Sequence, residues 1–126
     1  MKVNNKHYRS IWYEEESDTV KIIDQRALPY EFVIITLETL EDFRIAIKDM
    51  AVRGAPLIGA TAAFGVAKQL QKDSSDQSLS NAWEVLHATR PTAINLRWAL
   101  DRCKDHLLNI DPGKRAGAAL KLALTV

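Results

Sequence analysis

The chain has 126 residues, of which 47% are hydrophobic, and its 17 basic and 16 acidic residues leave a formal net charge of +1. We expect a single domain over residues 1–126 with a packed core, because this much apolar material argues against disorder. The charge balance argues against nucleic acid as a partner, since such a surface needs clustered positive charge. The longest apolar run, residues 55–67, is shorter than the roughly 20 residues of a membrane span, so no membrane partner is expected.

Cysteine and histidine are scarce in this chain. The single cysteine, Cys103, excludes an internal disulfide framework and a cysteine-based zinc cluster. His7, His87 and His106 do not have the spacing of metal ligands. No glycine-rich nucleotide loop follows a predicted strand, so no cofactor is expected. The residues after Met1 lack the apolar core of a secretory signal, and we predict a soluble, cytoplasmic protein.

The first third of the chain predicts strands and turns. Residues 8–13 and 19–23 flank the polar segment 14–18, a pattern typical of a β-hairpin. Residues 31–36 are rich in β-branched side chains and predict a third strand. In this interpretation residues 1–37 form a small antiparallel sheet.

Residues 38–126 predict a helical bundle. Thr39 can cap the first helix. The apolar residues of that helix fall on one face, namely Leu40, Phe43, Ile47 and Met50. The second helix covers residues 55–72 and is apolar all round, which predicts a central, closely packed position. Gly59 and Gly65 each cost about 1 kcal/mol inside a helix, so we expect a neighbouring element to approach closely there.

Three further helices complete the bundle. The third is predicted to start at Ser80 or Asn81 and to end before Pro91, because the residue before a proline disfavours helix. Thr92 can cap the fourth, and Asp111-Pro112 is a typical start for a fifth. The predicted fold class is α+β, a small antiparallel sheet of about three strands followed by a helical bundle of four to five helices.

The segment 50–59 combines a cation, a glycine and a proline at the start of the long second helix. The first backbone N–H groups of a helix have no internal partner and carry partial positive charge, so an anion is stabilised there. Gly54 allows close approach, Pro56 suits the first turn, and Arg53 offers a planar fork of donors that matches phosphate oxygens. These features indicate a phosphate site, although the same residues can begin a helix for backbone reasons alone while the arginine points into water.

Three motifs follow one another along the chain. Residues 22–29 read Ile-Ile-Asp-Gln-Arg-Ala-Leu-Pro, residues 52–59 read Val-Arg-Gly-Ala-Pro-Leu-Ile-Gly, and residues 88–100 read Ala-Thr-Arg-Pro-Thr-Ala-Ile-Asn-Leu-Arg-Trp-Ala-Leu. In this order they resemble elements of the methylthioribose-1-phosphate isomerases. The same superfamily includes ribose-1,5-bisphosphate isomerases and the regulatory subunits of the nucleotide exchange factor for eukaryotic translation initiation. The Asp-Gln-x-x-Leu-Pro element favours the methylthioribose branch.

The resemblance implies a binding site and a partner domain. In the family the equivalents of Arg53, Gly54, Ala55 and Arg90 hold the substrate phosphate, so these are the candidate substrate-binding residues. The family's catalytic cysteine and aspartate lie in a C-terminal doubly wound domain that has no counterpart in this sequence, and the resemblance implies that domain as a partner and a homodimer at full length. Without the resemblance, Arg90 is better interpreted as a partner for the C-terminal dipole of the third helix.

Other polar side chains have simpler interpretations. Cys103 lies in the middle of a predicted helix, and a buried free cysteine usually acts as a small hydrophobe. His106, three residues further on the same helical face, could contact it. Asp24 follows a strand and could be a base, but we favour a cap of the turn that follows. Asn95 is expected to bond the local backbone near its helix start.

The resemblance implies the N-terminal, phosphate-anchoring portion of an aldose–ketose isomerase that converts 5-methylthioribose-1-phosphate to 5-methylthioribulose-1-phosphate in methionine salvage. We expect residues 1–126 alone to be inactive and to contain no catalytic residue, since the family's catalytic groups lie further along the chain. The alternative is a non-enzymatic module that binds a sugar phosphate or a protein, as in the translation-factor regulatory subunits. Only an enzyme needs the cysteine and aspartate, so their presence or absence downstream distinguishes the isomerase from the non-enzymatic module.

Overall fold

The computed structural model describes residues 2–3, 6–7, 11–24, 26, 33–49, 51–52 and 55–125. Two short strands, β1 (Lys2–Val3) and β2 (Lys6–His7), pair as an antiparallel ribbon. They precede a three-stranded antiparallel sheet in which β4 (Thr19–Ile23) lies between β3 (Ile11–Glu14) and β5 (Ile34–Leu37).

The predicted β-hairpin is formed by β3 and β4. Ile11 pairs with Ile22 and Glu14 pairs with Thr19, and the turn between them places Asp18 at a φ of 51°. Strand β4 has the predicted bounds, whereas β3 begins at Ile11 and residues 8–10 lie outside the described part of the chain.

The predicted third strand is present but displaced towards the C-terminus. Strand β5 covers Ile34–Leu37 rather than residues 31–36, of which 31 and 32 are not described. The backbone N–H of Asp24 donates to the carbonyl of Val33 at 2.8 Å, which extends the pairing with β4 to the position before β5.

Helix α1 (Leu40–Lys48) begins as its sequence predicts. The hydroxyl of Thr39 accepts the backbone N–H of Asp42, and the Asp42 carboxylate accepts the N–H of Thr39, a complete capping box. Of the predicted apolar face, Phe43 and Ile47 are fully buried. Met50 lies outside the described residues.

Helix α2 (Ala55–Lys72) has the predicted bounds and the predicted central position. It packs against α1 and against all three later helices. A Cβ added at Gly65 would lie 3.1 Å from the Phe43 Cβ, and one at Gly59 would lie 3.5 Å from the Ala99 Cβ. The two glycines therefore let α1 and α4 approach the α2 backbone, as their presence in a helix predicted.

Helix α3 (Asp76–His87) begins four residues earlier than the Ser80 that the sequence predicted, so that prediction was wrong. The hydroxyl of Ser75 accepts the backbone N–H of Ser78 and caps the helix. Asp76 in the first turn also favours the positive helix end. The polar segment 72–78 thus includes the exposed start of α3.

Helix α4 (Ile94–Leu108) is capped by Ala93, not by the predicted Thr92. The N–H of Ala93 donates to the carbonyl of Arg90 at 3.0 Å, so Thr92 lies inside a turn. Ala93 takes the extended N-cap conformation without a side-chain hydrogen bond.

Helix α5 (Pro112–Thr125) starts directly after Asp111, as predicted. The α+β class is confirmed, with three strands in the main sheet and five helices among the described residues. A single core cluster connects the inner face of the sheet with all five helices. None of the helices in the described ranges is long and apolar enough to cross a membrane.

Candidate functional site

The candidate phosphate residues lie at the start of α2 and in the connection between α3 and α4. Arg53 and Gly54 fall outside the described residues, and only the backbone of Ala55, the first residue of α2, is described. Val52, just before this segment, is fully buried and donates its N–H to the carbonyl of Ala46 at 3.3 Å. The candidate segment thus lies between two anchored points, Val52 and the first turn of α2.

Arg90 lies in the α3–α4 connection and is half-buried. Its Nε donates to the main-chain carbonyl of Ile47 at 3.1 Å. This carbonyl belongs to the last turn of α1, where the helix dipole is negative. The interpretation of Arg90 as a partner of the third helix was therefore wrong, because its guanidinium contacts the end of α1 instead.

The contact with Ile47 leaves part of the guanidinium available. An arginine side chain carries five N–H donors, and the structure gives Arg90 one side-chain hydrogen bond to the described residues. Ile47 lies eight positions before Ala55, where α2 begins. Arg90 is thus fixed at the C-terminal end of α1.

A cavity of about 440 Å³ lies where the first turns of α2 and α4 meet. Its lining comes from one residue of α2 and five consecutive residues around the start of α4. These residues are Ile58, Thr92, Ala93, Ile94, Asn95 and Leu96. The close approach of Gly59 to Ala99 holds the two helices together just below it.

Asn95 faces this cavity and not the local backbone. Its side chain is exposed, and it makes no hydrogen bond to the described residues of the protein. The sequence-based expectation of a local backbone bond was therefore wrong. Because the N-cap Ala93 has no side-chain acceptor, the start of α4 presents its first backbone N–H groups beside this amide.

Sequence reasoning missed the apolar side of the cavity. The buried positions of α4 include Leu96, Leu100 and Cys103, and Ile94 falls outside the face that they form. A large aliphatic residue off the buried face of an amphipathic helix was the available signal.

Asp24 caps a turn, as the sequence favoured. Its carboxylate accepts the backbone N–H of Arg26 at 3.0 Å and two guanidinium N–H groups of the same residue. These hydrogen bonds hold the pKa of Asp24 below its usual value, against the opposing effect of burial. A carboxylate tied in this way is a poor candidate for a general base.

Cys103 behaves as the predicted small hydrophobe. It is 2% exposed, and burial raises the pKa of its thiol to about 11. His106 is exposed on the same helix. The described residues include no group of three metal-ligating side chains.

The chain matches proteins of known family over most of its length. Residues 51–125 match the model of the Initiation factor 2 subunit family. Methylthioribose-1-phosphate isomerase of Sinorhizobium medicae is 53% identical over 126 residues, which are 100% of this chain and 35% of that protein. The enzyme of the same name from Escherichia coli is 44% identical over 126 residues, which are 34% of that protein.

Two solved structures share the fold. 5-Methylthioribose 1-phosphate isomerase from Pyrococcus horikoshii has a TM-score of 0.84 and 35% identity, with 95% of this chain and 36% of that chain covered. Subunit delta of the translation initiation factor eIF-2B from A. fulgidus has a TM-score of 0.84 and 32% identity. The match covers 94% of this chain and 36% of that chain. The chain thus spans about a third of the length of these relatives. The family resemblance predicted from three motifs is confirmed, and the chain belongs to the Initiation factor 2 subunit family.

Proposed function

We propose that this chain is the N-terminal, phosphate-anchoring portion of an isomerase that converts 5-methylthioribose-1-phosphate to 5-methylthioribulose-1-phosphate in methionine salvage. The observation that carries the proposal is the match along all 126 residues to enzymes named for this substrate, at 53% identity in one case. The position of Arg90 supports it, because this side chain is held at the end of α1 with donors left for an anion.

The proposed anchor consists of Arg53, Gly54, Ala55 and Arg90. The first N–H groups of α2 point out of the helix and carry partial positive charge, and the two guanidiniums neutralise a phosphate dianion. The contact of Arg90 with the Ile47 carbonyl restricts the side chain before substrate arrives. A restricted donor loses less conformational entropy on binding.

Anchoring the phosphate contributes to a demanding reaction. The anomeric carbon of an aldose 1-phosphate carries the phosphate, so the sugar does not open to a free aldehyde by the usual route. Hydrogen has to move between C1 and C2 of a constrained ring, and binding energy from the phosphate positions those carbons. The groups that move the hydrogen belong, in this proposal, to the part of the enzyme beyond this chain, a C-terminal catalytic domain in a cytoplasmic homodimer.

Titration calorimetry tests the anchor. It measures the binding of 5-methylthioribose-1-phosphate to the native protein that contains these residues. Arg53→Ala and Arg90→Ala should each weaken binding at least tenfold, since a charge-assisted hydrogen bond contributes about 1.5–3 kcal/mol. Arg44→Ala is the matched control, because Arg44 is paired with Glu41 on the exposed side of α1. Equal affinity in all four proteins would contradict the assignment.

A non-enzymatic module of the translation-factor type is the second candidate. It is favoured by the family match and by the similarity to eIF-2B subunit delta. Turnover by the native protein separates the two candidates, because a regulatory subunit does not isomerise a sugar phosphate. The isolated 126 residues should show no turnover under either proposal, and measurable isomerisation by them would overturn the division of roles between the two parts.

A further inference from the structure

Helix α4 carries an outer face formed by Ile94, Trp98 and Arg102, which follow one another at intervals of four residues. Residues four apart lie on the same side of a helix. Ile94 is 81% exposed and Trp98 is 59% exposed, so two large apolar side chains lie next to each other in solvent. The opposite side of α4 packs into the core. Its buried residues are Leu96, Ala99, Leu100, Cys103 and Leu107.

The outer face consists of residue types that dominate protein–protein interfaces. Tryptophan and arginine are enriched among the residues that contribute most binding energy. The Arg102 guanidinium lies 5.5 Å from the centre of the Trp98 ring, and this cation–π contact orients the ring before a partner arrives. Trp83 on α3 differs, because its ring stacks on His87 and its Nε1 donates to Asp101 at 2.8 Å. The packing of α3 on α4 thus uses Trp83, while most of Trp98 stays available to a partner.

The outer face begins beside a residue of the proposed phosphate anchor. The N–H of Ala93 donates to the carbonyl of Arg90 at 3.0 Å, so one turn separates Arg90 from Ile94, the first residue of α4. In an aldose 1-phosphate the phosphate is attached to C1, one of the two carbons between which hydrogen moves. The groups that move the hydrogen have to contact these carbons. The part of the native protein that carries those groups therefore has to reach the start of α4.

The relatives indicate how large that part is. The 126 residues match 35% of the Sinorhizobium medicae enzyme and 36% of the Pyrococcus horikoshii chain, so most of each relative lies outside the match. The proposed function assigns the catalytic groups to this remaining part. A domain that reaches Arg90 meets Ile94 and Trp98 directly beside it, and covering them removes apolar surface from water.

We infer that the outer face of α4 is the docking surface for the catalytic part of the native protein, within the same chain, and that Trp98 is its central contact. The inference rests on the proposed function, which supplies the partner. The partner surface should be apolar opposite Ile94 and Trp98 and should carry a carboxylate opposite Arg102. Arg97 and Asp101, whose side chains are 66% and 47% exposed, belong to the polar rim of this surface.

Hydroxyl-radical labelling of the native protein, followed by mass spectrometry, tests whether Trp98 is covered. The labelling rate of a tryptophan depends on how much of its ring solvent reaches. Trp98 is 59% exposed and Trp83 is half-buried, so Trp98 should react faster if the outer face is open. Docking should reverse this order and slow Trp98 about tenfold relative to the unfolded protein at equal radical dose, since the centre of an interface is desolvated. Faster labelling of Trp98 than of Trp83 would overturn the inference.

A photo-crosslinker identifies what covers the outer face. Arg97 at the rim is replaced by p-benzoylphenylalanine, which leaves Ile94 and Trp98 in place. The matched control carries the same replacement at Arg44, on the exposed side of α1. Irradiation of the native protein should join position 97 to peptides that follow residue 126, in a product with the mass of one chain. A yield no higher than that of the control, or a product with the mass of two chains, would overturn the assignment.

Turnover of 5-methylthioribose-1-phosphate by the same native protein distinguishes failure of the docking surface from failure of the proposed function. Turnover by a protein in which Trp98 is labelled faster than Trp83 would overturn the docking surface and leave the proposed function standing. A protein without turnover would overturn the proposed function, and with it the occupant assigned to the outer face of α4.

Discussion

Gly65 of α2 lies directly against Phe43 of α1, so closely that a Cβ added to the glycine would stand 3.1 Å from both the Cβ and the Cγ of the phenylalanine. The same added atom would lie 3.2 Å from Cδ1 of Leu86 on α3. Phe43 and Leu86 are both fully buried, so neither can move aside cheaply. Three helices therefore meet at a point where an added methyl group would force Phe43 or Leu86 to shift by a few tenths of an ångström.

Gly65→Ala should destabilise the protein by about 1–3 kcal/mol, because overpacking a filled core costs that much and exceeds the roughly 1 kcal/mol that alanine gains in helix propensity. Urea unfolding followed by circular dichroism measures the change. The control is Gly117→Ala on α5, where an added Cβ meets no atom within 4 Å. That variant should be stabilised, and a stabilised Gly65→Ala would refute the close approach.

Arg115 joins three parts of the helical bundle. Its Nε donates to the carbonyls of Leu107 at 2.9 Å and Ile110 at 3.1 Å. Its Nη1 donates to the carbonyl of Ser74 at 2.9 Å and lies 2.5 Å from the Asp76 carboxylate. The guanidinium thus bonds the end of α4 and the start of α3 from its buried position on α5.

Arg115→Met should lower the free energy of unfolding by about 3 kcal/mol, since it leaves buried carbonyls unpaired while keeping most of the side-chain volume. Arg97→Met is the matched control, because that arginine is 66% exposed and, among the described residues, forms an i,i+4 ion pair with Asp101. Such pairs contribute about 0.3–0.5 kcal/mol. Similar urea midpoints for the two variants would show that the Arg115 contacts do not hold the bundle together.

The features that sequence predicted well depend on nearby residues. The capping box of Thr39 and Asp42 and the turn at Asp24 both close within three residues. The bounds of α2 follow from a proline near one end and a polar segment after the other. Local hydrogen bonds and backbone preferences suffice for such features, so the sequence alone specifies them.

The features that sequence missed depend on distant contacts. Arg90 donates to a carbonyl 43 residues earlier in the chain, and no local pattern identifies that acceptor. The cavity at Ile58 and Ile94 exists only because α2 and α4 pack side by side. The start of α3 was missed for another reason, since Ser75 and Ser80 are both acceptable caps by residue type and only the structure distinguishes them.

Cys103 should resist alkylation in the folded protein. Burial raises the pKa of its thiol to about 11, and the thiolate is the reactive form. At pH 8 the thiolate fraction is then on the order of a hundredfold smaller than for a free cysteine with a pKa of about 8.5. Iodoacetamide labelling followed by mass spectrometry measures the rate, with the urea-unfolded protein as the control. Labelling at equal rates in both states would contradict the burial.

The turn of the β-hairpin is fastened by a hydrogen bond whose strength should depend on pH. The Tyr13 hydroxyl donates to the Asp18 carboxylate at 2.6 Å. This bond lowers the pKa of Asp18 and, with burial, raises the pKa of Tyr13 to about 12. Lys68 of α2 also donates to the main-chain carbonyl of Asp18, so the same turn is tied to the helical bundle.

The two shifts define the pH window of this contribution to stability. Asp18 has a lowered pKa in the folded state, so its contribution is present above the unfolded pKa of about 3.9 and is lost as the pH falls. Tyr13 has a raised pKa, so its contribution is present below the unfolded value of about 10 and is lost as the pH rises towards 12. The bond therefore stabilises the fold between these limits.

Tyr13→Phe should lower the urea midpoint at pH 7, and the difference from the wild type should shrink at pH 11, where the unfolded tyrosine has lost its proton and the folded one is beginning to. This substitution removes the hydroxyl of Tyr13 and keeps the aromatic ring. In an Asp18→Asn background the carboxylate is gone, so the pH dependence of the Tyr13→Phe effect should become smaller there. A midpoint difference that stays constant from pH 7 to pH 11 would show that this hydroxyl titrates alike in both states and that the bond does not shift its pKa.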